Sequence, residues 1–243
     1  INSTNKTTVT LDGAGGLVEQ VFASSTTSVA GNSKISVAEG ASVGGNVNAT
    51  ASGDASVENA GEVEGTLTAN AGSGGVSSFE QTENFDGKGV RLSYVSKQVN
   101  APVIGSATVV IAETGSSGGS VLATATKDAS VANGGSIGGS LTANAGTGNT
   151  RVIDQELVYD STGALVLSNV YEESNTRSKG NASVVVAASA EIDGGVVANA
   201  TQDITINNAG TIGSGVTGNS SANDSTYVRT ELTPEAIVDA KAG

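Results

Sequence analysis

From Ile35 to Ala71 every second residue is apolar or small. The series runs Ile35, Val37, Ala41, Val43, Val47, Ala49, Ala51, Ala55, Val57, Val63, Leu67, Ala69 and Ala71, with glycines between and only Glu39 and Asn59 as polar exceptions. The intervening register is mostly Ser, Thr, Asn, Glu and Gly. Side chains on a strand alternate between faces, so this pattern keeps one apolar, small-residue face over nearly forty residues. No single strand is that long, and the path must bend repeatedly with the same side inward. Superposing the stretch on itself at a shift of twenty places Val43 on Val63, Val47 on Leu67, Ala49 on Ala69 and Ala51 on Ala71. At the same shift Val37 falls on Val57, and further on Val109 falls on Ala129 and Ile111 on Val131. The pattern predicts an all-β chain, a parallel β-solenoid of about twenty-residue coils stacked on one another.

A longer period of 74–75 residues carries these coils along the chain. "DASVENAGEVEGTLTANAGSG" from Asp54 matches "DASVANGGSIGGSLTANAGTG" from Asp128, and the next shift reaches "QDITINNAGTIGSGVTGN" from Gln202. Three super-repeats follow: 1–76 with a coil pair at 33–72, 77–150 with a pair at 107–146, and 151–225 with a pair at 182–221. Residues 226–243 begin a further repeat or form a C-terminal cap. There the repeat phase predicts a strand through Glu231 and Leu232, while Thr233 as N-cap and Pro234 at the first helical position predict a short helix.

Between the coil pairs lie inserts that also align. "LDGAGGLVEQV" from Leu11, "FDGKGVRLSYV" from Phe85 and "YDSTGALVLSNV" from Tyr159 share a large residue, then Asp, and Gly three residues after it. Asp can accept bonds from its own downstream backbone and Gly can take positive φ, so each insert reads as a hairpin or as an enlarged coil with a protruding turn. With each insert counted as a coil, nine coils would make a rod on the order of 43 Å. All three Phe and all four Tyr lie in the inserts, as do most of the 11 Lys and Arg. Phe85, Arg91, Tyr94, Tyr159 and Tyr171 are the candidate contact residues, since exposed aromatics with Arg are typical of binding surfaces.

Composition narrows the chemistry. The chain has no His and no Cys, which removes Ser-His-Asp, Cys-His and imidazole or thiolate metal chemistry. The net charge of −13 argues against nucleic acid as partner, because phosphate contacts need clustered Lys and Arg. No apolar run reaches the roughly twenty residues of a membrane span. No basic-then-apolar leader opens the chain and Ile1 is not an initiator, so the sequence reads as a processed product or a section of a longer protein. Asn59, Asn133 and Asn208 stand in the inward register two residues before Gly61, Gly135 and Gly210, the pattern of a structural corner in which Asn bonds the backbone and Gly permits close approach. Carboxylates are the remaining candidates for chemistry. Asp54, Asp128 and Asp203 recur at equivalent boundaries, as turn residues do. Glu39 and Glu113 lie one coil before Asn59 and Asn133, where stacking would serve corner hydrogen bonding or, with backbone carbonyls, a Ca²⁺ site. No other cofactor is expected.

The coils "SVENAGEVEGTLTANAG" from Ser56 and "ITINNAGTIGSGV" from Ile204 resemble passenger domains of bacterial autotransporter and filamentous-haemagglutinin-type surface adhesins. The resemblance covers about half of the chain and would equally fit a giant repetitive surface filament protein. It implies a secreted, extracellular, cell-surface tandem-repeat protein, non-enzymatic and structural or adhesive. The partners it implies are self-association end to end, continuation by further repeats, and a host or surface carbohydrate or protein. Two other functions stay open on the residues alone: a carbohydrate-active β-helix enzyme, and a calcium-dependent surface-layer component.

Overall fold

The computed structural model describes residues 2–221 and 225–232, with the backbone alone over 168–172 and 225–232. The described chain is all β, with no helix among those residues. Three parallel sheets of six strands each carry the alternating segments. The first holds Ser33–Val37, Ala55–Asn59, Ala107–Ile111, Ala129–Asn133, Ala182–Val186 and Ile204–Asn208. The second holds two-residue strands, Ser42–Val43, Glu62–Val63, Ser116–Ser117, Ser136–Ile137, Glu191–Ile192 and Thr211–Ile212. The third holds Val47–Thr50, Leu67–Ala71, Val121–Ala125, Leu141–Asn144, Val196–Ala200 and Val216–Ser220. Every sheet keeps its strands in chain order, so each successive triplet of strands adds one level to all three sheets.

The alternation sets the core. Ala49, Ala69, Ala123, Ala143 and Ala198 form one inward column of the third sheet, each with 0% exposure. Leu67, Val121, Leu141 and Val196 form another. Aliphatic burial of this kind is worth about 1.5–3 kcal/mol per Val or Leu side chain, and small residues suit a narrow interior built by strand after strand. Among the described residues, no hydrophobic side chain of the inserts is fully buried. At the outer levels the interior opens: Ile35 and Val43 on one side, and Ile204, Ile206 and Ile212 on the other, are only partly buried.

The spacing of twenty holds in two sheets and fails in the first. Ser42 pairs with Glu62 and Val47 with Leu67, twenty residues apart, but Ser33 pairs with Ala55 and Val37 with Asn59, 22 apart. The same offset recurs where Val109 pairs with Val131 and Ile111 with Asn133. The cause is the turn after the first strand. In the first level of each pair it runs through Ala38–Ala41, closed by the Ala41 N–H donating to the Ala38 carbonyl, whereas the second level turns within Ala60 and Gly61. Glu39 and Glu113 therefore sit exposed in the longer turns rather than stacking on Asn59 and Asn133.

The inserts are hairpins and they join one another. Asn2–Leu11 with Leu17–Thr27, Gly75–Phe85 with Arg91–Pro102, and Asn149–Tyr159 with Leu165–Arg177 pair antiparallel. Leu17–Thr27 then pairs with Gly75–Phe85, Arg91–Pro102 with Asn149–Tyr159, and Leu165–Arg177 with Ser225–Leu232. The result is one seven-stranded antiparallel sheet, again in chain order. Among the described residues no insert contributes a strand to the parallel sheets, so each holds six strands rather than the nine expected with every insert counted as a coil, about 24 Å between the outermost strands at ordinary strand spacing. The strand expected through Glu231 and Leu232 is present, and the helix expected from Thr233 lies outside the described residues.

These two structures advance in step. Each 74–75 residues adds two strands to every parallel sheet and two strands to the antiparallel sheet. Neighbouring strands lie about 4.7–4.9 Å apart in either kind of sheet, so both grow by about 9.6 Å per repeat. An insert of one or three strands would lose register with its pair of levels, whereas a hairpin keeps it.

Candidate functional site

Three features recur at each repeat, and one cluster does not. The first recurring feature is the corner after the first-sheet strand. The side-chain oxygens of Asn59, Asn133 and Asn208 each accept the N–H of the glycine two residues on, Gly61, Gly135 and Gly210, at 3.1 Å. Asn59 and Asn133 are buried and Asn208, on the outermost level, is exposed. Down this column Val37, Asn59, Ile111, Asn133, Val186 and Asn208 alternate aliphatic with amide. Asn59 also donates from Nδ2 to the Ser116 carbonyl at 2.8 Å, while the Nδ2 of Asn133 finds no acceptor among the described residues. Replacing Asn59 by Leu removes two bonds, and replacing Asn133 removes one and relieves an unpaired amide. With net bonds worth about 1 kcal/mol, Asn59→Leu is expected to cost roughly 1 kcal/mol more than Asn133→Leu in denaturant unfolding. Equal losses would contradict this assignment.

The second recurring feature is a hydroxyl that ties each hairpin's return strand to a level of the parallel sheets. Thr126 Oγ1 donates to the Val103 carbonyl at 2.8 Å and accepts the Gly105 N–H at 2.9 Å. Thr201 does the same with the Ser178 carbonyl at 2.7 Å and the Gly180 N–H at 3.0 Å. Ser52 repeats it with Val29 and Gly31, both at 2.9 Å. Sequence reasoning passed over these residues, although Ser52, Thr126 and Thr201 stand one repeat apart and carry a hydroxyl each time. Asp54 and Asp128 act nearby on the backbone of the adjoining level, accepting the N–H of Ser106 and of Asn181 at 2.9 Å. Asp203 occupies the equivalent place on the last level, where its own N–H donates to Asn181.

The third is the hairpin turn. Oδ1 of Asp12 accepts the N–H groups of Ala14 and Gly16, that of Asp86 those of Lys88 and Val90, and that of Asp160 those of Thr162 and Ala164. Gly15, Gly89 and Gly163 close these turns at φ of 88°, 89° and 82°, a region costly for any side chain. The Thr162 hydroxyl, followed by the backbone N–H groups, holds the Asp160 carboxyl below its ordinary 3.8, and at Asp86 the Lys88 N–H is the leading cause. A depressed folded value means that the contribution is complete above the unfolded value and is lost as pH falls through the folded one. The carboxyl carbon of Asp160 is therefore expected to titrate with a midpoint below 3.8, the hairpin tip loosening only in more acidic solution. A midpoint at or above that value would contradict the turn bonding.

The non-repeating cluster lies on one face of the antiparallel sheet. Arg91 places its guanidinium 5.8 Å from the Tyr94 ring centre and 5.9 Å from that of Tyr159. It also pairs with the largely buried Glu83 at 2.6 Å. Phe85 lies opposite Arg91 across the hairpin, and Phe22 and Phe79 pack at 6.1 Å between ring centres on the adjoining strands. Four of the five expected contact residues are thus brought together. Tyr171 is described only by its backbone, opposite Thr230. The cluster is partly exposed. Arginine over two rings is worth about 0.5–1 kcal/mol per contact at an exposed site.

The carboxylates are spread rather than converged. Glu62 and Glu64 lie at one end, and Glu191 and Asp193 at the other, of a trough along the second sheet floored by Ser116, Gly118, Ser136 and Gly138. Their strands stand three steps apart, on the order of 14 Å. Among the described residues no three Asp or Glu gather in a metal-holding group. Compared with known proteins, the chain matches no family model, no curated protein and no solved structure.

Proposed function

We propose that this chain is a non-enzymatic rod of the cell exterior: a parallel β-solenoid shaft with a side sheet of hairpins, structural in its shaft and adhesive on the side sheet. The observation that carries this reading is the shared advance of two levels and two hairpin strands per 74–75 residues. Such a unit adds to itself without strain, and stability in arrays of this kind is close to a sum of unit and interface terms. The outermost levels support lengthening, since a sheet edge is a row of unpaired N–H and C=O groups and, among the described residues, the apolar side chains there are less covered, with Val216 at 51% exposure. A second copy or a further repeat is the natural partner of those edges. The Arg91, Tyr94 and Tyr159 face supports the adhesive part, because it offers aromatic and cationic area away from the apolar interior. Electron microscopy of concentrated protein is expected to show thin filaments of constant width. A monodisperse monomer that turns over a polysaccharide would replace this reading with the enzymatic one.

A further inference from the structure

Where three repeats share one scaffold, the departures from it mark what the scaffold does not require. One such departure lines a groove of about 660 Å³ between the third hairpin and the third parallel sheet. On the sheet side, the outward column runs Thr50, Asn70, Thr124, Asn144, Asn199 and Asn219. Asn199 stands where the earlier repeats have Thr124 and Thr50, and this makes three consecutive amides. Asn199 Nδ2 donates to Asn144 Oδ1 at 2.7 Å, and Asn219 Nδ2 donates to Asn199 Oδ1 at 2.9 Å. On the hairpin side, Asn149 lies opposite Arg177, where the preceding hairpin has Gly75 opposite Pro102. Asn175, two residues before Arg177 and so on the same face, accepts from Asn149 Nδ2 at 3.3 Å and donates to Glu173 at 3.0 Å.

We infer that this groove binds a short saccharide carrying a carboxylate. A bonded amide ladder leaves an N–H group at one end and a carbonyl at the other, the mixed donor and acceptor set that sugar hydroxyls need. Arg177 is exposed, forms no ion pair among the described residues, and offers the fork geometry that matches a carboxylate. The groove falls within the size range of small-ligand sites. The ladder steps at about 4.8 Å, out of step with an extended peptide, whose same-face groups repeat at about 6.6–6.8 Å. A pyranose ring is close to the ladder step in length, so successive rings can meet successive amides.

This inference rests on the adhesive half of the proposed function and not on filament formation, and its failure would leave the microscopy result untouched. The test titrates the full chain with cellobiouronate, cellobiose and tetraglutamate, followed by NMR of the side-chain NH₂ groups of Asn144, Asn199 and Asn219. Two variants take sibling residues that the same scaffold already tolerates: Arg177→Ser, as at Ser28, and Asn199→Thr, as at Thr124. Cellobiouronate is expected to shift the three amides and to bind more tightly than cellobiose. Arg177→Ser should weaken cellobiouronate about tenfold, the loss of a charge-assisted contact, and leave cellobiose unchanged. Asn199→Thr should weaken both sugars. Absence of amide shifts with either sugar would overturn the inference, as would equal affinity in Arg177→Ser or a response to tetraglutamate alone.

Discussion

Gly135→Ala is expected to destabilise the protein by about 3 kcal/mol, near the upper end of what overpacking costs. A Cβ at Gly135 would lie 2.6 Å from the Ala112 carbonyl oxygen and would overlap that of Gly115, both backbone atoms of the adjoining level. Neither can yield alone, because the Gly115 N–H is donated to the Ala112 carbonyl and the Gly115 carbonyl accepts the Ser136 N–H. Relief would have to move a whole level. The effect should be matched at Gly61 and Gly210, whose Cβ positions meet the carbonyls of Ala38 and Ala41 and of Ala187 and Ala190. Gly45→Ala serves as the control: nothing lies within 4 Å of its Cβ position, and the change should stay within about 0.5 kcal/mol. Urea unfolding of the four variants checks the series, and a Gly135→Ala protein as stable as Gly45→Ala would refute the corner packing.

Thr126→Val is the second large effect. The substitution keeps the shape and removes a hydroxyl that satisfies the Val103 carbonyl and the Gly105 N–H together. Thr126 is 6% exposed, so both groups lose a partner with little access to water, at about 1–3 kcal/mol each. The expected loss is roughly 2–4 kcal/mol, concentrated at the root of the second hairpin. Hydrogen exchange at the Gly105 amide should accelerate more than at core amides such as Val131. Thr126→Ser should be mild, because Ser52 makes the same pair of bonds in the first repeat. Uniform acceleration across the chain, or an equal loss in Thr126→Ser, would show that the methyl rather than the hydroxyl carries the role.

The inward face was readable from the sequence because strand alternation has a period of two. The true offset in the first sheet is 22 rather than 20, yet a slip of two leaves every side chain on its own face. Val109 was expected over Ala129 and lies over Val131, and both are buried. What the slip did corrupt was the neighbour list of the polar residues. Glu39 and Glu113, which a spacing of twenty sets beside Asn59 and Asn133, belong to turns that are longer by two residues. The hairpin tips were legible because Asp12, Asp86 and Asp160 solve their turns locally. The joining of hairpins into one sheet was not, since contacts such as Gln20 with Glu83 and Tyr94 with Leu157 span about sixty residues and carry no local signal. The Arg91 cluster was legible as a set of residue types but not as a geometry, because Tyr159 reaches Arg91 from the next hairpin.

In the proposed rod, the parallel sheets and the side sheet lengthen together in units of two strands each. Cryo-electron microscopy of concentrated protein tests it directly, through the axial order of the filaments it is proposed to form. A strong layer line is expected near 4.8 Å from the strand spacing and a weaker one near 9.6 Å, because amide and aliphatic corners, longer and shorter turns, and hairpin strands all alternate from level to level. A 4.8 Å line with no 9.6 Å companion, or particles that never extend beyond a single chain, would contradict it.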